Sequence, residues 1–140
     1  MSTPPEGPAL AVVVVTHDPA GQVGATLDAL AAMRRPSDQV IVVDNASRDG
    51  TAAACRRHGA VDEVVEAGAN LGFAAGCNLG AARAAAPVLV FLNPDAVPEP
   101  GCLDALRRPP PGWAAWMGLV LLPGGREVNT AGNVVHYTGL

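Results

Sequence analysis

The sequence predicts an α/β fold, a mostly parallel sheet flanked by helices in an αβα sandwich. Two observations carry this. Continuous apolar, β-branched runs recur, as ALAVVVV at 9–15, QVIVV at 39–43 and VLVFL at 88–92. Such runs suit strands buried on both faces, the situation of strands in a parallel sheet. Helical segments separate the runs, and strand–helix alternation joins parallel strands through right-handed crossovers. The 140 residues, 49% of them apolar, give one domain a real core.

Residues 1–8 form a flexible Pro/Gly-rich lead-in, and 9–140 read as one domain. The first strand, 9–15, is ended by Thr16, His17, Asp18 and Pro19. Helix follows over 22–34, where Val23, Leu27, Leu30 and Met33 recur at three- and four-residue spacing. Arg34 and Arg35 suit its negative end, and Pro36 stops it. The second strand, 39–43, gives way to the polar turn Asp44 to Gly50 and a short helix over 51–58. A third strand over 61–66 is shorter and more polar, which places it near an edge. The Ala-rich segment 73–86 is helical and ends at Pro87. The fourth strand, 88–92, is broken by Asn93, Pro94 and Asp95. A helical turn or two over 101–108 precedes three consecutive prolines. A fifth strand is expected over 117–122 and a further short one around 134–137.

Charge narrows the function classes. The net charge is −4, no lysine is present, and all nine basic residues are arginines. That argues against an electrostatic grip on nucleic acid or on an anionic membrane. Three cysteines, Cys55, Cys77 and Cys102, are odd in number and lack CxxC spacing. They form neither a disulfide scaffold nor a zinc site and point to a reducing compartment. The apolar stretch 113–122 is well short of the ~20 residues a membrane helix needs. A cytoplasmic domain is expected, soluble or peripheral at the inner face of the membrane.

In open α/β sheets the ligand sits outside the carboxyl ends of the strands. The residues that matter are therefore Thr16 to Asp18, Asp44 to Asp49, Asn70 to Asn78 and Asn93 to Asp95. Asp44 can accept hydrogen bonds from a ribose or base, or serve as a cap or turn residue. Asn93 and Asp95 can aim oxygen ligands at a divalent cation, or close a strand-ending turn. Gly72, Gly76 and Gly80 recur every four residues, a stripe that admits either a ligand or close helix-to-sheet packing. Arg48 is the one basic residue in a ligand-side loop. Arg34, Arg35, Arg56, Arg57, Arg107 and Arg108 read as solvated helix-end residues. Trp113 and Trp116 read as core or lid aromatics. The adjacent His17 and Asp18 do not make a general-base pair. Neither Gly-containing loop holds GxGxxG or a Walker sequence, which disfavours a Rossmann dehydrogenase. THDPAGQVG carries no basic residue, which disfavours a sugar nucleotidyltransferase.

Together, VVVVTHD, VIVVDNASRDGT, NLGFAAGCNLG and VLVFLNPDAVPEPG closely resemble glycosyltransferase family 2, over roughly residues 9–108. The nearest subgroup looks like the rhamnosyltransferase-like enzymes of cell-wall and O-antigen assembly. NTAGNVVHYTGL also looks like a segment that follows in some bacterial members. The resemblance implies a GT-A fold, a nucleotide-diphosphate sugar donor (dTDP- or UDP-linked), Mg²⁺ or Mn²⁺, and transfer with inversion to a carbohydrate or lipid-linked acceptor. It implies that Thr16 lies beside the nucleobase and that Asp44, followed by Asn45, accepts a hydrogen bond from it. Asn70, Gly72, Gly76 and Asn78 match the donor-binding stretch. Asp95 matches the metal-binding carboxylate of a DxD-like motif whose first position is Asn93. His17 stands where the family often has Tyr.

The family's second half supplies the acceptor site and an acidic general base. The chain is therefore expected to be the donor-binding portion, truncated at its C-terminus, with Glu99, Asp104 and Glu127 as ordinary surface residues. A catalytically incomplete fragment or a nucleotide-sugar-binding module is the alternative. Removal of later strands would leave residues 113–122 open and favour a homodimer.

Overall fold

The computed structural model describes residues 7–130. The chain packs as two compact units, one through Arg107 and one from Arg108, a boundary just before the Pro109–Pro111 run. The first unit contains β1 (Leu10–Thr16), α1 (Val23–Met33), β2 (Gln39–Asp44), α2 (Thr51–Arg57), β3 (Glu63–Glu66), α3 (Phe73–Arg83), β4 (Val88–Leu92) and α4 (Cys102–Leu106). The four strands form one parallel sheet in the order β3-β2-β1-β4. The order reverses at β1, so the switch point lies between β1 and β4. The third strand is at an edge, as expected.

Every residue of β1 is buried. Leu10, Val12 and Val14 face a core shared with Val23, Leu27 and Leu30 of α1, Cys55 of α2 and Leu103 of α4. Val13 and Val15 face the opposite core, with Ile41, Val43 and Cys77 of α3. α3 packs on β1 and β2 and does so at very close range. A Cβ on Gly80 would stand 2.2 Å from Val13 Cγ1, and one on Gly76 2.6 Å from Val15 Cγ1. Of the two readings of the glycine stripe, close packing accounts for Gly76 and Gly80.

The two sheet edges differ. β3 carries Glu63 and Glu66, which pair with Arg83 and Arg56 at 2.7 and 2.8 Å. Charges of this kind blunt an edge. β4 is apolar, and on the α3 side its Leu89 and Phe91 stay 41% and 47% exposed. The VLVFL run is thus covered on the α1 side, where Val88, Val90 and Leu92 join the core.

At the amino ends of the strands lies an ion pair that the sequence reading missed. Arg107 is not a solvated helix-end residue. Its side chain and that of Asp38 are fully buried. The guanidinium donates through NH1 to Asp38 Oδ1 at 2.7 Å and through NH2 to Oδ2. It also donates to the Pro8 carbonyl at 3.1 Å. The carboxylate accepts the Leu10 N–H at 3.0 Å and the Arg35 N–H at 2.7 Å. One carboxylate therefore ties the start of β1, the end of α1 and the end of α4. Arg34 is committed nearby, donating to the Ala60 and Asp38 carbonyls and pairing with Asp62 at 2.8 Å.

In the second unit the described strands are β5 (Val120–Leu121) and β6 (Val128–Thr130), paired antiparallel in a sheet of their own. The strand expected over 117–122 is therefore two residues long and does not join the four-stranded sheet. Pro123, Gly124 and Gly125 turn the chain directly after it, with positive φ at both glycines. Trp113 is 66% exposed and is not a core residue of this unit. The strand expected around 134–137, with His136, lies outside the described residues.

Two outcomes test this packing. Gly80→Ala is expected to destabilise by about 1–3 kcal/mol despite alanine's better helix propensity, with Val13→Ala relieving part of the loss. Gly24→Ala, in α1 with nothing within 4 Å of the new Cβ, is expected to stabilise by up to about 1 kcal/mol. Chemical denaturation reads both. A further outcome concerns Asp38. Burial pushes its carboxyl up, but hydrogen bonds from Arg107 and from the Arg35 and Leu10 N–H groups outweigh it and bring the pKa to about 2 from 3.8. The fold favours the charged form, so this stabilisation is complete above about pH 4 and is lost as pH falls through about 2. Asp38→Ala is expected to cost about 3–5 kcal/mol at neutral pH, because a buried guanidinium loses its buried, two-point carboxylate partner and keeps only the exposed Asp104. The variant's stability is expected to fall less than that of the unmodified chain between those two pH values.

Candidate functional site

Parallel pairing in register brings strand ends level. Thr16, the last residue of β1, stands opposite Asp44, the last of β2. Both are buried. The Thr16 hydroxyl donates to Asp44 Oδ1 at 2.9 Å, and the Ser47 N–H donates to Asp44 Oδ2 at 3.0 Å. A carboxylate oxygen accepts two hydrogen bonds, so each Asp44 oxygen keeps capacity for one more.

Asn45 joins three segments. Its N–H donates to the Thr16 carbonyl at 2.8 Å. Its carbonyl accepts from His17 Nδ1 at 2.8 Å. Its side-chain NH₂ donates to the Gly72 carbonyl at 3.0 Å. Its Oδ1 is buried and has no partner among the described residues. Gly72, at φ 84°, sets the head of α3, and its N–H is held by Asn70 Oδ1 at 3.0 Å. This positive φ is a conformation that favours glycine.

The loops after β1 and β2 are laced together. Asp18, at φ 53°, donates its N–H to Ser47 Oγ at 2.9 Å and accepts the Arg48 N–H on Oδ1 at 2.6 Å. Asp49 accepts the Ala20 N–H at 2.7 Å and both the N–H and the hydroxyl of Thr51. The Thr51 hydroxyl and these N–H groups hold the Asp49 carboxyl below its ordinary value. His17 Nε2 is 3.9 Å from Asp18 Oδ2, too far for a hydrogen bond. No His–Asp base pair forms there.

Across the switch point, the turn after β4 carries Asn93, Pro94 and Asp95. The Thr26 hydroxyl of α1 holds the Pro94 carbonyl at 2.9 Å, and the Ala96 N–H closes the turn on the Asn93 carbonyl at 3.2 Å. Asn93 and Asp95 are exposed. The Asp95 carboxylate has no partner among the described residues, whereas those of Asp18, Asp44 and Asp49 are committed to the loops.

The structure thus gathers Thr16, Asp44, Asn45, Asn70 and Gly72 into one hydrogen-bonded assembly and sets Asn93 and Asp95 at the adjoining strand end. It does not join Asn78 to that assembly, because Asn78 is exposed on α3 about half a turn from Gly76 and Gly80, which face the sheet. Gly76 lies beneath the assembly as a spacer against Val15. The linking roles of Asn45 and Ser47 have no sequence signal beyond their place in a polar turn.

Among the described residues no group of three or more His, Cys, Asp or Glu could enclose a metal ion. The donors present, one uncommitted carboxylate and an asparagine two positions before it in the same turn, fit a hard cation that takes its other ligands from substrate phosphates and water.

The family model described as glycosyl transferase family 2 matches residues 11–109. A search of curated proteins finds no significant match. Among solved structures, the chain is similar to the mannosyltransferase PcManGT from Pyrobaculum calidifontis in complex with GDP-Man and Mn²⁺. The TM-score is 0.64 and the identity 29%, over 72% of this chain and 31% of that one. It is also similar in fold to S. aureus TarS 1-349 in complex with UDP-GlcNAc, with a TM-score of 0.65 and 22% identity over 69% of this chain and 29% of that one. The match spans less than a third of either protein's length.

Proposed function

Because the chain belongs to glycosyl transferase family 2, we propose that it binds the nucleotide-diphosphate sugar for transfer of the sugar to an acceptor hydroxyl. The observation that carries this is the assembly of Thr16, Asp44, Asn45 and Gly72 at the carboxyl ends of β1, β2 and the head of α3, with an uncommitted Asp95 across the switch point. That is the crevice in which open α/β sheets bind nucleotides.

In this reading Asp44 accepts a ring N–H of the base. Uracil and thymine offer one such donor, and guanine offers another on the same type of edge. The Thr16 hydroxyl and the Ser47 N–H hold the carboxylate in place before the base arrives, which lowers the ordering cost of binding. Asn45 keeps the loop at Gly72 against the same site. Asp95, with Asn93 beside it, would hold Mg²⁺ or Mn²⁺, and such an ion supplies neutralisation of diphosphate charge that a lysine-free, acidic chain lacks. Mn²⁺ in the similar mannosyltransferase supports this assignment. Transfer proceeds with inversion in cell-wall or surface-polysaccharide assembly, a reading that rests on the motif resemblance. We place the protein in the cytoplasm or at the inner face of the membrane; no helix among the described residues is long and apolar enough to cross one.

A binding module without transfer is the second reading. It is favoured by Asp104 being committed to Arg35 and Arg107, and by Glu99 being exposed outside the assembly.

The test is calorimetric titration with UDP, dTDP and GDP, with and without Mn²⁺. One of them is expected to bind, more tightly with Mn²⁺. Asp95→Ala is expected to remove the metal's contribution, and Asp44→Ala to weaken binding about tenfold or more, since a hydrogen bond to a charged group contributes about 1.5–3 kcal/mol. Absence of binding to all three overturns the proposal, as does binding indifferent to metal and to Asp95.

A further inference from the structure

Nine arginines are the chain's only permanent side-chain cations. In the first unit most are neutralised within the fold. Arg34 pairs with Asp62, Arg35 with Asp104, Arg56 with Glu66, Arg83 with Glu63, and Arg107 with Asp38 and Asp104. Two arginines of this unit, Arg48 and Arg57, have guanidinium groups without a partner among the described residues. Arg57 ends α2, at the far end of that helix from the loop after β2. Arg48 lies in that loop, at the carboxyl end of the sheet.

The Arg48 guanidinium has no partner among the described residues although two acids adjoin its main chain. Asp49 follows it in sequence, and Asp18 touches its main chain. Both carboxylates take donors from the loops, and neither bonds the guanidinium. Asp18 Oδ1 accepts the Arg48 N–H at 2.6 Å. Asp49 Oδ1 accepts from Thr51, and Oδ2 accepts from Ala20. The backbone of residue 48 is therefore pinned between two loops, while its exposed side chain carries an unneutralised charge. A cation on a fixed base, in the same loop as Asp44 and unspent on its neighbours, is suited to an anion from outside the chain.

We propose that Arg48 is a ligand-binding residue that pairs with a phosphate of the bound nucleotide. This rests on the nucleotide-binding reading of the Thr16–Asp44–Asn45 assembly and adds to it the side-chain cation of the site. It divides the work of charge neutralisation: Arg48 acts from the β2 side, and the cation-binding Asp95 from the β4 side.

The experiment uses the full chain with Mn²⁺ and compares UDP, dTDP and GDP with uridine, thymidine and guanosine. For whichever diphosphate binds, Arg48→Ala is expected to weaken affinity about tenfold, Arg48→Lys to restore part of it, and Arg57→Ala to change nothing. Affinity for the matching nucleoside, which lacks phosphate, is expected to stay unchanged in Arg48→Ala. Raising the salt concentration is expected to shrink the difference between Arg48→Ala and the unmodified chain. Equal diphosphate affinity in Arg48→Ala overturns the proposal and leaves the nucleotide site standing. An equal loss for nucleoside and diphosphate also overturns it, because the residue would then be shaping the loop. A chain that binds no nucleotide at all overturns the underlying reading and this one with it.

Discussion

The burial of β1 on both faces is the constraint from which the rest of the first unit follows. A strand with no exposed residue needs cover from two layers. α1, α2 and α4 supply one, and α3 supplies the other only because Gly76 and Gly80 let its backbone reach Val15 and Val13. The same burial fixes register, since a one-residue slip would exchange the two apolar faces. Register then sets Thr16 against Asp44. The polar pair at the strand ends is thus a consequence of apolar packing below it.

The two ends of the sheet use polar residues in opposite ways. At the amino ends, Asp38 and Arg107 are buried and mutually saturated, and the carboxylate also takes two backbone N–H groups. Such a pair fixes geometry rather than adding net stability over an apolar substitute, and it is costly to break. At the carboxyl ends, Asp44 is held by two donors with capacity left over, and the Asp95 carboxylate and the Arg48 guanidinium have no partner among the described residues. Saturation at one end and spare capacity at the other separate the structural end of the sheet from the end proposed to bind.

The strand–helix order and the site loops were legible because β1, β2 and β4 are continuous apolar runs closed by polar residues or proline, while β3 is shorter and carries Glu63 and Glu66. β4 matched its expected limits, and β1, β2 and the helices moved by one to three residues. The Asp38–Arg107 pair was not legible, because its members lie 69 positions apart and each stands beside a helix end where a solvated charge is the ordinary reading. The fifth strand is shorter than its apolar run because β6 pairs only with Val120 and Leu121, and Met117–Leu119 has no strand opposite it among the described residues. The glycine stripe could be read two ways, and only the positions of Val13 and Val15 decide between them. The role of Asn45 in joining three loops depends on backbone atoms of Thr16 and Gly72, which no residue identity encodes.

The central claim is that nucleotide binds where β1, β2 and β4 end. Amide chemical-shift mapping of the full chain with a nucleoside diphosphate and Mg²⁺ tests it most directly, since every segment reports at once. The account predicts the largest shifts at Thr16, Asp44, Asn45, Gly72 and Asp95, with Leu10, Asp38 and Arg107 unmoved. Saturable binding that leaves the first group unshifted, or that shifts the Asp38–Arg107 end instead, would contradict it.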